Sequence, residues 1–147
     1  MSDLILERDF KAPVSRLFEM ITLPENMVRW WGHGDMTITG GAFDFSRPGP
    51  WHSIMTGADG RDHKVSGEVT EVDPPHEVRF TWGWHDAEDN RGAESQVSIR
   101  IIDLGDRQAR LVLRHVGLAD AEVRQGHNRG WSAFLQKFAA GVAEAAP

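Results

Sequence analysis

Cysteine and tyrosine are both missing from this chain of 147 residues. Without cysteine there is no disulfide framework, no thiolate zinc site and no cysteine nucleophile. Such a chain suits a reducing compartment. No apolar run approaches the roughly 20 residues that a membrane-spanning helix needs. Asp3, Glu7, Arg8 and Asp9 interrupt the amino terminus where a secretory leader would be apolar, so the expected compartment is the cytoplasm. Basic residues are scattered singly and the formal net charge is -6. An acidic chain lacks the counter-charge for a phosphate backbone, so nucleic acid is not an expected partner.

The common catalytic signatures are missing too. There is no phosphate-cradling glycine loop, no dinucleotide fingerprint and no His-Glu-x-x-His pair. No serine lies in a nucleophile-elbow context. His33 with Asp35, and His85 with Asp86, approach a chelating pair, but each lies in loop-like sequence without a third partner. No metal and no cofactor are expected.

Aromatic rings are abundant: six Trp and seven Phe. Each buried ring hides about 150–250 Å². They build either a Trp-rich core or a Trp-lined pocket, and the sequence leaves both open. The length fits one domain over residues 1–147, able to bury about two-thirds of its unfolded surface without a staple.

Periodicity orders the elements. Leu4 to Phe10 alternates as a first strand. Pro13 suits a helix start, and Val14, Leu17, Phe18 and Ile21 follow at helical spacing. Thr22 and Glu25 read as a capping box for a second short helix through Met27, Trp30 and Trp31, ended by Gly32. Being adjacent on a helix, Trp30 and Trp31 are not expected to face inward together, and Trp31 is placed at a cavity mouth. Met36 to Thr39 reads as a strand turned by Gly40-Gly41, and Trp51 to Thr56 as another. Asp59-Gly60 marks a hairpin, and His63 to Val72 alternates up to Asp73-Pro74-Pro75. Val78, Phe80, Trp82 and Trp84 alternate without a miss. Val97, Ile99 and Ile101, then Leu111, Leu113 and His115, give two more inward faces. A long helix from about Asp120 to about Ala145 carries Trp131, Phe134, Leu135, Phe138 and Val142 on one stripe. Gly126 and Gly130, on nearly one face, suggest close backbone approach to the sheet, or a helix start at Gly126. The expected fold is α+β, a curved antiparallel sheet wrapped around the long terminal helix, with two short helices after the first strand.

Several ordered pieces carry a family resemblance. They include Phe10-Lys11-Ala12-Pro13, Pro24-Glu25 with Trp30-Trp31-Gly32, Asp44-Phe45-Ser46-Arg47-Pro48-Gly49, and Gly67-Glu68-Val69 with Asp73-Pro74-Pro75. Val78-Arg79-Phe80-Thr81-Trp82, Leu113-Arg114-His115 and Gly130-Trp131 complete the set. In order and spacing the chain resembles the START-like (SRPBCC, birch-pollen-allergen-like) superfamily. It is most similar to the bacterial AHSA-type branch, named after the activator of the ninety-kilodalton heat-shock-protein ATPase. One departure is Pro50, where the family often has the second glycine of a pair. The resemblance implies a helix-grip fold with a mostly apolar internal cavity, and no single function.

The candidate ligand-binding residues are Trp31, Trp51, Met55, Phe80, Trp82, Trp84, His115, His127 and Trp131. Trp82 and Trp84 face Trp131 across the sheet–helix gap. His115 and His127, four residues before Trp131, approach the same cavity end. Asp44 and Arg47 flank a bend as a local ion pair, unless Arg47 turns inward to hold a carboxylate. No catalytic residue is assigned. The expected function is binding of a small hydrophobic or aromatic molecule in a cavity of about a few hundred Å³. The alternatives are a cyclase- or hydrolase-type enzyme using the two histidines, and a chaperone-interacting module suggested by the family name alone. A homodimer through an open sheet edge is allowed.

Overall fold

The first strand, β1 (Ser2–Phe10), buries Leu4 and leaves Ile5 exposed, as period-two alternation demands. Two short helices follow, α1 (Val14–Thr22) and α2 (Pro24–Met27). Six strands come next: β2 (Thr37–Ala42), β3 (Gly49–Thr56), β4 (Asp62–Asp73), β5 (Glu77–Trp84), β6 (Ser95–Gly105) and β7 (Gln108–Leu118). The last element is α3 (Ala121–Ala145), 25 residues and about 38 Å long. The computed structural model describes residues 2–31, 36–118 and 121–145. The expected loop Gly32-His33-Gly34-Asp35, its His33–Asp35 pair and the helix start at Asp120 lie outside these residues.

All neighbouring strands are antiparallel, in the order β1-β7-β6-β5-β4-β3-β2. β2 to β7 form a meander, and α1 and α2 carry the chain from β1 at one edge to β2 at the other. This is the expected α+β helix-grip architecture. The concave face is apolar: Val78, Phe80 and Trp82 of β5, Val97, Ile99 and Ile101 of β6, and Leu111 and Leu113 of β7 are all buried. The other face is charged. Arg110 reaches Asp9 at 2.8 Å and Arg114 reaches Asp3 at 2.9 Å. Such solvent-screened pairs contribute little to stability.

The local structure corrects several sequence-based expectations. Thr22 does not cap α2. Pro24 forces Leu23 into an extended conformation, so α1 ends at Thr22, whose hydroxyl donates to Phe18 O at 2.7 Å. α2 ends at Met27, and Trp30 and Trp31 follow in a turn whose N–H groups both still donate to Met27 O, at 3.1 and 2.9 Å. Adjacent as they are, both rings are buried, at 3% and 2% exposure, because each finds its own partners on a different side. Gly40-Gly41 does not turn the chain: β2 runs through it with a register shift between Ile38 and Gly40. Gly41 has φ +126°, and a Cβ there would stand 2.5 Å from His52 O. At Gly67 a Cβ would run into the Thr81 carbonyl, the same carbonyl that accepts from Trp51 Nε1 at 3.3 Å. α3 is already helical at Ala121, so Gly126 is not its start.

Trp31 is the hub of the core. Its ring meets Phe45, Trp51, Trp82, Trp131 and Phe134 at centroid distances of 5.2 to 6.2 Å. Its Nε1 donates to Ser53 Oγ at 2.9 Å, so the buried hydroxyl and indole satisfy each other. Trp30 turns the other way, packs on Phe138 and donates to Met20 O at 2.7 Å. Much of the space between sheet and helix is thus filled by the protein's own rings.

Candidate functional site

The end of β5 and the first half of α3 leave a gap. Strand alternation turns Trp82 and Trp84 to the concave side, with ring centroids 5.4 Å apart. Helical spacing sets Gly126 above Gly130, and His127 above Trp131, on the facing side of α3. Trp82, Trp84, Val123, Gly126, His127, Gly130, Trp131 and Phe134 enclose a pocket of about 260 Å³. Trp82 and Trp131 form its floor, 5.1 Å apart and tilted 51°. A Cβ at Gly126 would touch only Arg129 Nη2, at 3.9 Å. That glycine does not bring backbone against the sheet; it stands over the open space.

A polar chain runs behind this floor. Trp131 Nε1 donates to His115 Nδ1 at 3.0 Å, and His115 Nε2 lies 2.6 Å from Ser95 Oγ. An indole N–H can only donate, so Nδ1 carries the lone pair and the neutral ring holds its proton on Nε2. His115 then donates to Ser95, whose hydroxyl donates onward to Trp82 O at 3.4 Å. His115 is fully buried. Burial, and secondarily the neighbouring His127, push its pKa down to about 3. It is held neutral, in the tautomer that cannot take a proton from Ser95.

His127 is bonded in the same manner. Its Nε2 accepts from Trp84 Nε1 at 3.1 Å, which places its own proton on Nδ1, 3.0 Å from Val123 O. The two imidazoles stand edge to face, 4.8 Å apart. All four ring nitrogens are engaged within the protein. A buried polar atom without a partner remains beside them: Trp82 Nε1.

Of the nine residues expected at a ligand, Trp82, Trp84, His127 and Trp131 line the pocket. His115 lies behind it, joined through Trp131. Trp31 is in the middle of the core rather than at a mouth, packed among rings and bonded to Ser53. Trp51, Met55 and Phe80 are buried deeper and do not reach the pocket wall. Arg47 does not turn inward: its side chain is 78% exposed and pairs with Asp44 at 3.3 Å. His85 binds Ser66 Oγ at 2.7 Å and faces Asp89 at 2.8 Å, so it does not chelate with Asp86. Among the described residues no three His, Asp or Glu side chains are placed to hold a metal ion, and no helix is long and apolar enough to cross a membrane. Sequence reasoning missed Ser95, Val123, Phe134 and the two glycines as parts of the site. Extending the Val97–Ile99 alternation back by two residues already places Ser95 on the inward face.

Fold and pocket define a START-like helix-grip protein. The chain matches the family model described as activator of Hsp90 ATPase homolog 1-like protein over residues 11–143, and it belongs to that family. It is similar to an AHSA1 protein of Silicibacter pomeroyi, with 41% identity over 99% of this chain and 100% of that one, and a TM-score of 0.94. A protein of Mycobacterium smegmatis shares the fold at 22% identity, covering 98% and 90% of the two chains, with a TM-score of 0.78. One from Chromobacterium violaceum does so at 20% identity, covering 95% and 96%, with a TM-score of 0.81. Among curated proteins nothing matches.

Proposed function

We propose that this chain binds a small, neutral, flat apolar molecule between β5 and α3, against Trp82, Trp84, His127, Trp131 and Phe134. The observation that carries the reading is a ring-walled gap left open beside an otherwise filled aromatic core. An apolar cavity of about 150 Å³ already admits benzene, so this one has room for a fused ring pair. The wall offers no charge, because His127 is neutral and its nitrogens are engaged. Acid–base catalysis has less support: His115 and His127 are tied up as hydrogen-bonded neutral rings and face no free nucleophile. The family name also suggests a chaperone contact. The large exposed apolar side chains, however, are spread over β1 (Ile5), the turn after α2 (Val28), β6 (Ile102, Leu104) and α3 (Val123). The single-domain reading over residues 1–147, a cytoplasmic setting and pairing through the free edges of β1 or β2 are compatible with this function.

Titration with naphthalene, followed by tryptophan fluorescence, tests the proposal. Saturable quenching is expected in the wild type and should be lost when Gly126→Leu fills the gap. A wild-type signal that never saturates, or one unchanged in Gly126→Leu, removes the pocket as the site.

A further inference from the structure

A second cavity of about 190 Å³ also borders the Trp84–His127 contact, walled further by Gly92, Ala93, Ser95 and Leu118. It shares Trp82, Trp84, Val123 and His127 with the first. Two lobes therefore abut along one residue set, and the side-chain bond that crosses that set is the 3.1 Å donation from Trp84 Nε1 to His127 Nε2. Trp84 is the last residue of β5 and only half-buried, so its ring has solvent to move into.

We propose that the Trp84–His127 hydrogen bond is a clasp, and that the preferred ligand is a neutral molecule with two apolar arms joined by a central amide or hydroxyl. This rests on the pocket reading above and goes further, by naming the chemistry at the ligand's centre. Parting the clasp leaves one donor, Trp84 Nε1–H, and one acceptor, His127 Nε2. Once a bound ligand shuts water away from them, such groups are costly if left unpaired. A hydrocarbon entering both lobes would leave both unmet. A group that accepts and donates at once, such as an amide or hydroxyl, meets both. A carboxylate or an ammonium is excluded: the former cannot donate to His127 Nε2, the latter cannot accept from the Trp84 indole, and no wall residue carries a counter-charge.

The test compares three probes by fluorescence titration and calorimetry: naphthalene, N-benzylbenzamide and 1,3-diphenylpropane. The last two have similar length and ring content and differ in the central amide. The wild type should bind the amide about tenfold more tightly than the hydrocarbon, the effect of about two modest net hydrogen bonds. Trp84→Phe and His127→Phe should each bring the ratio of amide to hydrocarbon affinity close to one, whatever they do to the affinity for either probe. If naphthalene binds but amide and hydrocarbon bind alike, the clasp is refuted and the pocket stands. A preference that survives both substitutions refutes the clasp in the same way. If none of the three binds, pocket and clasp fall together. The wild-type comparison decides the matter even if a variant does not fold.

Discussion

Lowering the pH should weaken this protein through one buried ring, His115. The unfolded chain titrates an ordinary histidine near 6.5, whereas burial holds His115 at about 3 in the folded state. Below pH 6.5 the unfolded chain therefore binds a proton that the folded protein refuses. Stability from this source is complete above pH 6.5, falls as the pH drops, and stops falling near pH 3, where the native ring charges too. Each pH unit inside that window costs about 1.4 kcal/mol. Moving from pH 7 to pH 4 should remove about 3 kcal/mol, a large share of the roughly 5–15 kcal/mol that holds an ordinary domain together. Titrating carboxylates act in the same range, so the measurement is a difference. Urea unfolding followed by tryptophan fluorescence, at half-unit steps from pH 4 to pH 7.5, is run on the wild type and on His115→Gln. Glutamine does not titrate but retains a donor and an acceptor. The wild type should be the more stable at pH 7.5, and its advantage should shrink by about 3 kcal/mol by pH 4. An advantage independent of pH would show that the ring is not held neutral by burial, and the tautomer argument for Ser95 and Trp131 would go with it.

Other substitutions read other parts of the structure. Gly126→Ala should raise stability by about 1 kcal/mol through helix propensity, since its Cβ would meet only Arg129 Nη2; a lowered thermal midpoint would contradict the open space above it. Trp31→Ala should cost about 3–5 kcal/mol in urea unfolding, because seven rings lose their common neighbour and Ser53 loses its partner. A loss below about 1 kcal/mol would mean that the core does not depend on that hub. Gly41→Ala should destabilise by more than about 1 kcal/mol, given its positive φ and the His52 carbonyl beneath it. Near-identical unfolding midpoints for Gly41→Ala and the wild type would refute the bulge as drawn.

Strand alternation and helical stripes made the order of elements legible, because burial on one face imposes a period that composition cannot hide. Val78, Phe80, Trp82 and Trp84 announced β5 and its inward face. Local punctuation was less informative. Thr22 and Glu25 have the spacing of a capping box, but Pro24 overrides them by fixing Leu23 as the cap. Gly40-Gly41 reads as a turn, and only the pairing with β3 shows that it is a bulge. The site was legible in part. Trp82, Trp84, His127 and Trp131 follow from face and register alone, whereas the burial of both Trp30 and Trp31 depends on tertiary partners, Met20 O for one indole and Ser53 for the other. The partition of rings between filler and pocket wall is a three-dimensional fact, set by which side chains reach first, and no one-dimensional pattern carries it.

The glycines of α3 bear on why any gap survives beside so many rings. A glycine within a helix costs about 1 kcal/mol against alanine, so its presence asks for a reason. At Gly141 a Cβ would stand 3.0 Å from Met20 Cε, the flexible end of a side chain where α1 meets α3. At Gly126 no such neighbour exists, and the space that a side chain would occupy belongs to the pocket. Gly130, one turn further on, lines the same pocket beside Trp131. A chain selected for core density alone would put alanine or leucine at 126, gaining helix stability and covering Trp84. The pocket is thus made by what α3 withholds from one face, at a cost to its own stability, and filling it should strengthen the fold while abolishing whatever the gap is for.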